Sequence, residues 1–453
     1  MLARTDQGVS ISRATAIHIG LAILFFLLLV RIIIWPHPLG LADNHDYWRL
    51  MNPMGFVYLA QDQDNFYSYL NLLFLKTGQW HGTLISSGLL FVFLAYSFTQ
   101  MLETSFFPLL LLGTIHSFFY SVVYYFFIKN SFIKKWLALV VFFAITTITL
   151  SDTLFTAYFN SFYQESAGFI CFLGFVAVFQ ARRGHFWFEL LLVSLLALTK
   201  VANLLFVLLF LPLLWKYKGM EHFKSRVIVM VCFCIAILFQ QIINQNIRES
   251  PNIFNSFFKG LVTESNYTQV LVDFSLADTR YVAFVGKDFW AAEIEKSPLK
   301  EEFFSKVNHT KILVYYLTHP RLLLNNSAHA FRLLQSSARP DNLGNRTKEF
   351  SEQLVIDFSI AAIWQRVFPY ALWPGFLLSI IQGVYLLKRK KIKLDTILLI
   401  ILPLLLPLQI ALTFLGDGWH EFAKHNVTFY FTFTLWFLLS LQFWYKQLEH
   451  RKI

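Results

Sequence analysis

Near-continuous apolar runs, each close to the ~20 residues that cross a bilayer as a helix, recur along most of this 453-residue chain. They read as spans at 15–35, 106–128, 135–151, 165–181, 186–200, 201–217, 226–244, 367–387, 395–416 and 427–445. Such a pattern leaves few folds open. Backbone N–H and C=O groups in hydrocarbon must pair within their own segment, so runs of this length span as helices. The expected fold class is an all-α polytopic membrane protein, a helical bundle of about 10–11 spans. Charged residues are 14% of the chain, against roughly 25% in a soluble domain.

The net charge of +11 does not point to nucleic acid, because the basic residues fall in short clusters between apolar runs. These are Lys129/Lys134/Lys135, Arg182/Arg183, Lys216/Lys218/Lys224/Arg226, Lys388 to Lys393 and Lys446/Arg451/Lys452. Only Arg49, Lys76, Lys200 and Lys424 lie at the short opposite loops. The positive-inside rule then places both termini in the cytoplasm. Counting 84–101 as a full span would put Lys129–Lys135 outside. Ser, Gly, Tyr and Gln interrupt that segment, so it is expected to lie in the outer interface or to re-enter.

The organisation that follows is a cytoplasmic N-terminus at 1–14 and a transmembrane module at 15–244 with outer loops 36–83 and 152–164. A large extracytoplasmic loop at 245–366, the C-terminal helices 367–445 and a cytoplasmic tail 446–453 complete it. Within the large loop, Asn325-Asn-Ser, Pro340-Asp-Asn-Leu-Gly and Asn345-Arg-Thr read as turns. Cys171, Cys232 and Cys234 all lie in apolar runs, which argues against a disulfide framework.

Four groups of polar residues carry the candidate chemistry. The first is Asp43-Asn-His-Asp-Tyr-Trp-Arg49, at the mouth of the first span, with Asp62 and Asp64 further along the same loop. Asp43 and Asp46 are three apart and would share a face if helical. Such a pair holds a divalent cation, or supplies a general base and its orienting partner; a solvated capping loop is the plain alternative. His45 and Arg49 extend this group. The second is Tyr158-Phe-Asn-Ser-Phe-Tyr-Gln-Glu165, where Tyr158, Asn160 and Tyr163 precede a glutamate that opens an apolar run. A carboxylate at membrane depth is a functional candidate by default, although a first-turn glutamate also favours the helix dipole.

The third group is Thr199-Lys-Val-Ala-Asn203. Lys200, on the outer side, suits a lipid-linked phosphate or snorkels to headgroups; Asn203 accompanies it. The fourth is Gly416-Asp-Gly-Trp-His-Glu-Phe-Ala-Lys-His425. Asp417, His420, Glu421 and His425 read as substrate contacts or a lid, since the histidine spacing does not suit zinc.

Taken in order, these four motifs resemble those of the WsfD-like bacterial glycan hexose transferases, which belong to the GT-C class of integral-membrane glycosyltransferases. Gln164 and Val201-Ala202 depart from the pattern. The resemblance implies a GT-C-like helical bundle in a bacterial cytoplasmic membrane with its site on the outer face. It implies a polyprenyl-phosphate-linked hexose as donor, a growing glycan as acceptor, and inversion at the anomeric carbon. Asp46 would be the catalytic base with Asp43 as its understudy, Glu165 would bind acceptor hydroxyls or a cation, and Lys200 would meet the departing phosphate. Asp43, Asp46 and Glu165 leave room for a divalent cation; no organic cofactor is expected. The alternatives are a lipid-linked sugar transporter or flippase, and an O-antigen-type polymerase using Arg321, Arg332, Arg339 and Arg346.

Overall fold

The computed structural model describes residues 12–35, 38–60, 69–81, 85–133, 135–181, 185–218, 221–245, 249–276, 278–336, 343–344, 362–388 and 394–451. Asp62, Asp64, Arg339 and Arg346 lie outside the described residues. The protein is a polytopic, mostly helical membrane protein. Among the described residues, six helices are long and apolar enough to cross a bilayer: Arg13–Ile34, Leu109–Lys129, Phe223–Gln245, Ile363–Lys388, Leu394–Asp417 and Val427–Arg451. Shorter apolar helices occupy Gly88–Met101, Trp136–Leu150, Glu165–Phe179, Phe186–Ala197 and Val201–Tyr217.

Every apolar run is thus helical, with local departures. Phe106–Pro108 is a strand, and its helix begins at Leu109. Val201–Leu209 is a 3-10 helix that becomes α-helical only at Phe210. The last helix continues to Arg451, past the expected end at 445.

Glu165–Phe179 is buried along nearly its whole length and packs between the Leu109–Lys129 and Phe186–Ala197 helices. A helix apolar all round belongs at a bundle's centre, so the glutamate that opens it is delivered to the middle of the protein. The periphery is marked by apolar stripes. Ile228, Val231, Ile235, Phe239 and Ile242 are all exposed on one face of Phe223–Gln245, the surface expected against lipid.

Two features shape the end of the bundle that holds the polar motifs. Phe56–Val57, Leu73–Lys76 and Phe106–Pro108 form a three-stranded antiparallel sheet, pairing Phe56 with Lys76 and Phe74 with Phe107. Gly40–Leu41 pairs antiparallel with Leu343–Gly344. Residues 249–336 fold as short helices around an aromatic core, with Phe258 centred 4.8 Å from Phe254 and 5.3 Å from Phe303. Asn325-Asn-Ser is not a turn: it lies inside the Pro320–Ser336 helix. Asn326 there is buried and donates to Gly260 O at 3.0 Å and Tyr316 Oη at 2.7 Å, so tertiary partners override the turn preference.

Candidate active site

Asp43 and Asp46 do not share a helical face, because the helix begins only at Trp48. The Asp43 carboxylate instead accepts the backbone N–H of Asp46 at 2.9 Å and of Tyr47 at 3.0 Å, and the Tyr58 hydroxyl at 2.5 Å. Burial raises its pKa above the usual carboxylate value despite these donors. Asp43 is therefore the brace of the loop, and Asp46 is the carboxylate it presents. The turn forces His45 to a φ of +72°, and Glu421 in the facing loop sits at +43°. Left-handed backbone at non-glycine residues costs on the order of 1–3 kcal/mol and clusters at functional sites.

Asp46 is enclosed by cations. Arg49 lies 3.1 Å from Oδ1 and Lys424 2.7 Å from Oδ2. Burial alone would raise the Asp46 pKa, but Arg49, Lys424 and Lys200 outweigh it and hold the carboxyl well below its ordinary value. Lys424 also meets Glu421 at 3.0 Å and stands 4.8 Å from the Tyr163 ring centroid. Burial pulls its pKa down, yet the two carboxylates more than compensate and keep it charged. Asn44 ties the loops together, donating to Glu421 and lying 2.5 Å from the Tyr163 hydroxyl. Beyond this group, Lys200 pairs with Glu165 at 2.8 Å. His425 Nε2 lies 3.0 Å from Asp417 Oδ2, while Asn255 donates to Asp417 Oδ1 at 2.8 Å. Burial, reinforced by Lys200 and Lys424, pushes the His425 pKa down to about 3, so the imidazole is neutral.

These groups face a cavity of about 720 Å³. Asp46, Arg49, Lys200, Asp417, Glu421 and His425 supply its charged and polar lining. Leu204, Leu205, Leu208, Leu238 and Leu412 line it too, and of these Leu208, Leu238 and Leu412 are exposed. The lining thus combines a charged cluster with a run of leucines. Lys200 stands at the start of the 3-10 helix Val201–Leu209, whose nine residues are long for a 3-10 run. His45 lines the cavity too, its ring stacked at 6.0 Å on Trp290 from the 249–336 unit.

Not every expected residue reaches this space. Asn160 is fully buried and donates to the carbonyls of Ile33 at 2.7 Å and Leu39 at 2.8 Å; it fastens the first helix. Tyr158 is fully buried, and its hydroxyl has no hydrogen bond among the described residues. Asn203 donates to Thr199 Oγ1 at 2.5 Å inside the bundle, and Tyr163 lies beneath Lys424 as a support. Conversely, Lys424, Asn44, Asn255 and Trp290 belong to the site without having been singled out. Lys424 had the same signal as Lys200, a lysine at an outer loop; Asn255 and Trp290 had none. Among the described residues, no three His, Cys, Asp or Glu side chains converge as a metal site. Asp43 is turned to Tyr58 and Glu165 to Lys200, so the three carboxylates named as cation ligands do not assemble.

The profile of the YfdI N-terminal transmembrane domain family matches residues 5–452, nearly the whole chain. No curated protein and no solved structure matches at a significant level.

Proposed function

The chain belongs to the YfdI N-terminal transmembrane domain family, and from that premise we propose that it is an inverting membrane glycosyltransferase. It takes a hexose from a polyprenyl-phosphate donor and adds it to a lipid-linked or surface glycan on the outer face of a bacterial cytoplasmic membrane. The observation that carries this reading is the cavity's mixed lining: cations beside carboxylates, together with a run of leucines from the apolar helices. A lipid phosphate has the same mixed character, with a long apolar tail and an anionic head. The motif resemblance to the WsfD-like hexose transferases supports the sugar as its cargo.

In this reading the tail lies against Leu204, Leu208 and Leu238, and the phosphate meets Lys200, which Glu165 holds in place. A cation fixed where negative charge develops is worth more in a water-excluded site than in solution. Asp46 directs the acceptor hydroxyl at the anomeric carbon and, because Arg49 and Lys424 lower its basicity, takes the proton late, once the C–O bond to the acceptor is largely formed and the hydroxyl has become acidic. The bond from the anomeric carbon to the phosphate oxygen breaks, and polyprenyl phosphate leaves with the electron pair. Lys424 and Arg49 hold Asp46 in position. Of the arginines expected of a polymerase, the described ones, Arg321 and Arg332, do not line the cavity.

The test uses the purified full chain in nanodiscs with radiolabelled undecaprenyl-phosphate hexoses and membranes containing the acceptor glycan. Asp46→Asn should cut transfer by ~10²–10⁴-fold, as loss of a general base does, while undecaprenyl-phosphate binding persists; because it also strands charge on buried Lys424, its melting temperature is measured alongside. Lys200→Ala should weaken lipid-phosphate binding and reduce turnover less severely. Full transfer by both Asp46→Asn and Asp43→Asn would overturn the mechanism.

A further inference from the structure

A second cavity, about 790 Å³, lies between the 249–336 unit and the loop 419–423. It shares His420 and Glu421 with the first, so these two side chains form the partition between them. Glu421 accepts from Asn44 on one side and pairs with Lys424 beside Asp46. On the other side, Asp288 lies 3.9 Å from His420 and 3.6 Å from Lys259. The two spaces therefore meet at the carboxylate cluster rather than lying apart on the surface.

The lining distinguishes the second cavity from the first. Its floor is aromatic: Trp419 is set edge-on to His329 at 4.7 Å and lies 5.5 Å from Phe422. Its polar groups among the described residues are Thr263, Glu264, Asp288, His329, Ser336, His420 and Glu421, with Lys259. Among the described lining residues, three carboxylates against one lysine disfavour a phosphate or another polyanion. Charged walls on the 249–336 unit also disfavour a lipid tail. Aromatic faces beside short hydroxyl and carboxylate side chains suit a neutral polyhydroxylated chain. The volume lies in the ~300–1,000 Å³ range of sites that enclose ligands of several rings.

We propose that this second cavity binds a neutral oligosaccharide, the terminal sugars of the acceptor glycan, and leads their hydroxyl past His420 and Glu421 to Asp46. The assignment rests on the glycosyltransferase reading above and adds to it a route for the acceptor separate from that of the donor. The two substrates then enter from different sides: the lipid from the spans, the glycan from the 249–336 unit. Glu421 is the positioning residue at their junction.

The test blocks the cavity without touching the carboxylates. Ser336→Cys and, on the facing wall, Thr263→Cys are made in the full chain carrying Cys232→Ser and Cys234→Ser, then labelled with a bulky maleimide. Labelling should cut transfer to the glycan by about tenfold or more while undecaprenyl-phosphate affinity stays within about twofold. Unchanged transfer at both labelled positions overturns the proposal. Loss of undecaprenyl-phosphate affinity on labelling reassigns the cavity to the donor. Saturation-transfer NMR with maltotriose, cellotriose and mannotriose reads the site without catalysis. Signal from at least one, lost on labelling, is expected; silence from all three counts against it. If the unlabelled parent binds an oligosaccharide but neither binds undecaprenyl phosphate nor transfers hexose, the glycosyltransferase reading fails while the sugar site stands.

Discussion

Lys424 is 2% exposed and holds two carboxylates from different loops. Removing one partner of a buried pair typically costs about 3–5 kcal/mol because a charge is left stranded, so the ring Arg49–Asp46–Lys424–Glu421 is best regarded as one unit. His425, beside it, gives the site a pH signature. Its folded pKa is pushed down to about 3 from 6.5, first by burial and then by Lys200 and Lys424. Between those values the unfolded chain takes up a proton that the folded chain refuses. Its contribution to stability is therefore full above about pH 6.5 and is lost as pH falls toward 3. Buried carboxylates beside it titrate in the opposite sense over the same range, so the His425 contribution is read as the difference in melting temperature in detergent between the chain and His425→Gln, which should narrow as pH falls from roughly 6.5 to 4.5. A difference that does not change with pH would mean that the imidazole is not held neutral. The sequence displayed this chemistry only in part. The motif around Asp46 and the run 416–425 were visible as polar residues where apolar ones were expected. Which carboxylate braces and which one faces the cavity depended on the Tyr58 hydroxyl, 15 residues away in sequence, and no local pattern encodes that.

At the scale of elements, apolar runs reveal where helices lie but not how their ends are fastened. Asn160 bonds the carbonyls of Ile33 and Leu39, and Gly113 on the neighbouring helix makes room for it. A Cβ at Gly113 would stand 1.8 Å from Asn160 Oδ1. Gly113→Ala should dislodge the amide and leave buried carbonyls without a donor, at roughly 1–3 kcal/mol for each stranded group. The melting temperature should fall clearly. In an Asn160→Ala background, where the obstructing amide is gone, the same change should cost little more, because the two substitutions share one contact. Additive losses would show that Gly113 serves some other packing need. Asn160 was expected at the substrate because it sits among hydrogen-bonding residues; its partners, more than a hundred residues away, make it a fastener. The 3-10 stretch Val201–Leu209 was equally hidden, since its composition is that of any apolar helix.

At the scale of the whole molecule, the unsettled element is the segment at 84–101. Its helix, Gly88–Met101, has 14 residues, about 21 Å at ~1.5 Å per residue against a hydrocarbon core of ~30 Å. Length alone does not decide, because Glu165–Phe179 is little longer at 15. The attachments argue more strongly. Before the helix, Ser86 donates to Thr199 O at 2.7 Å, next to Lys200. After it, the chain enters strand Phe106–Pro108, which pairs with Leu73–Lys76 and through it with Phe56–Val57 of the first loop. Both ends thus return to the end of the bundle that holds the site, and the following helix starts its crossing there. Ile85 and Met101 are exposed, so Ile85→Cys and Met101→Cys should both react with a membrane-impermeant thiol reagent from outside intact cells. Reporters fused after Lys300 and after Lys388 should read external and cytoplasmic respectively, as the positive-inside rule requires. Labelling of Ile85→Cys and Met101→Cys from opposite sides would add a span and invert everything after it. The basic clusters would then lie outside, and Asp46, which precedes the segment, would face the opposite side from Lys200, Glu421 and Lys424, which is incompatible with the 2.7 Å pairing of Asp46 with Lys424.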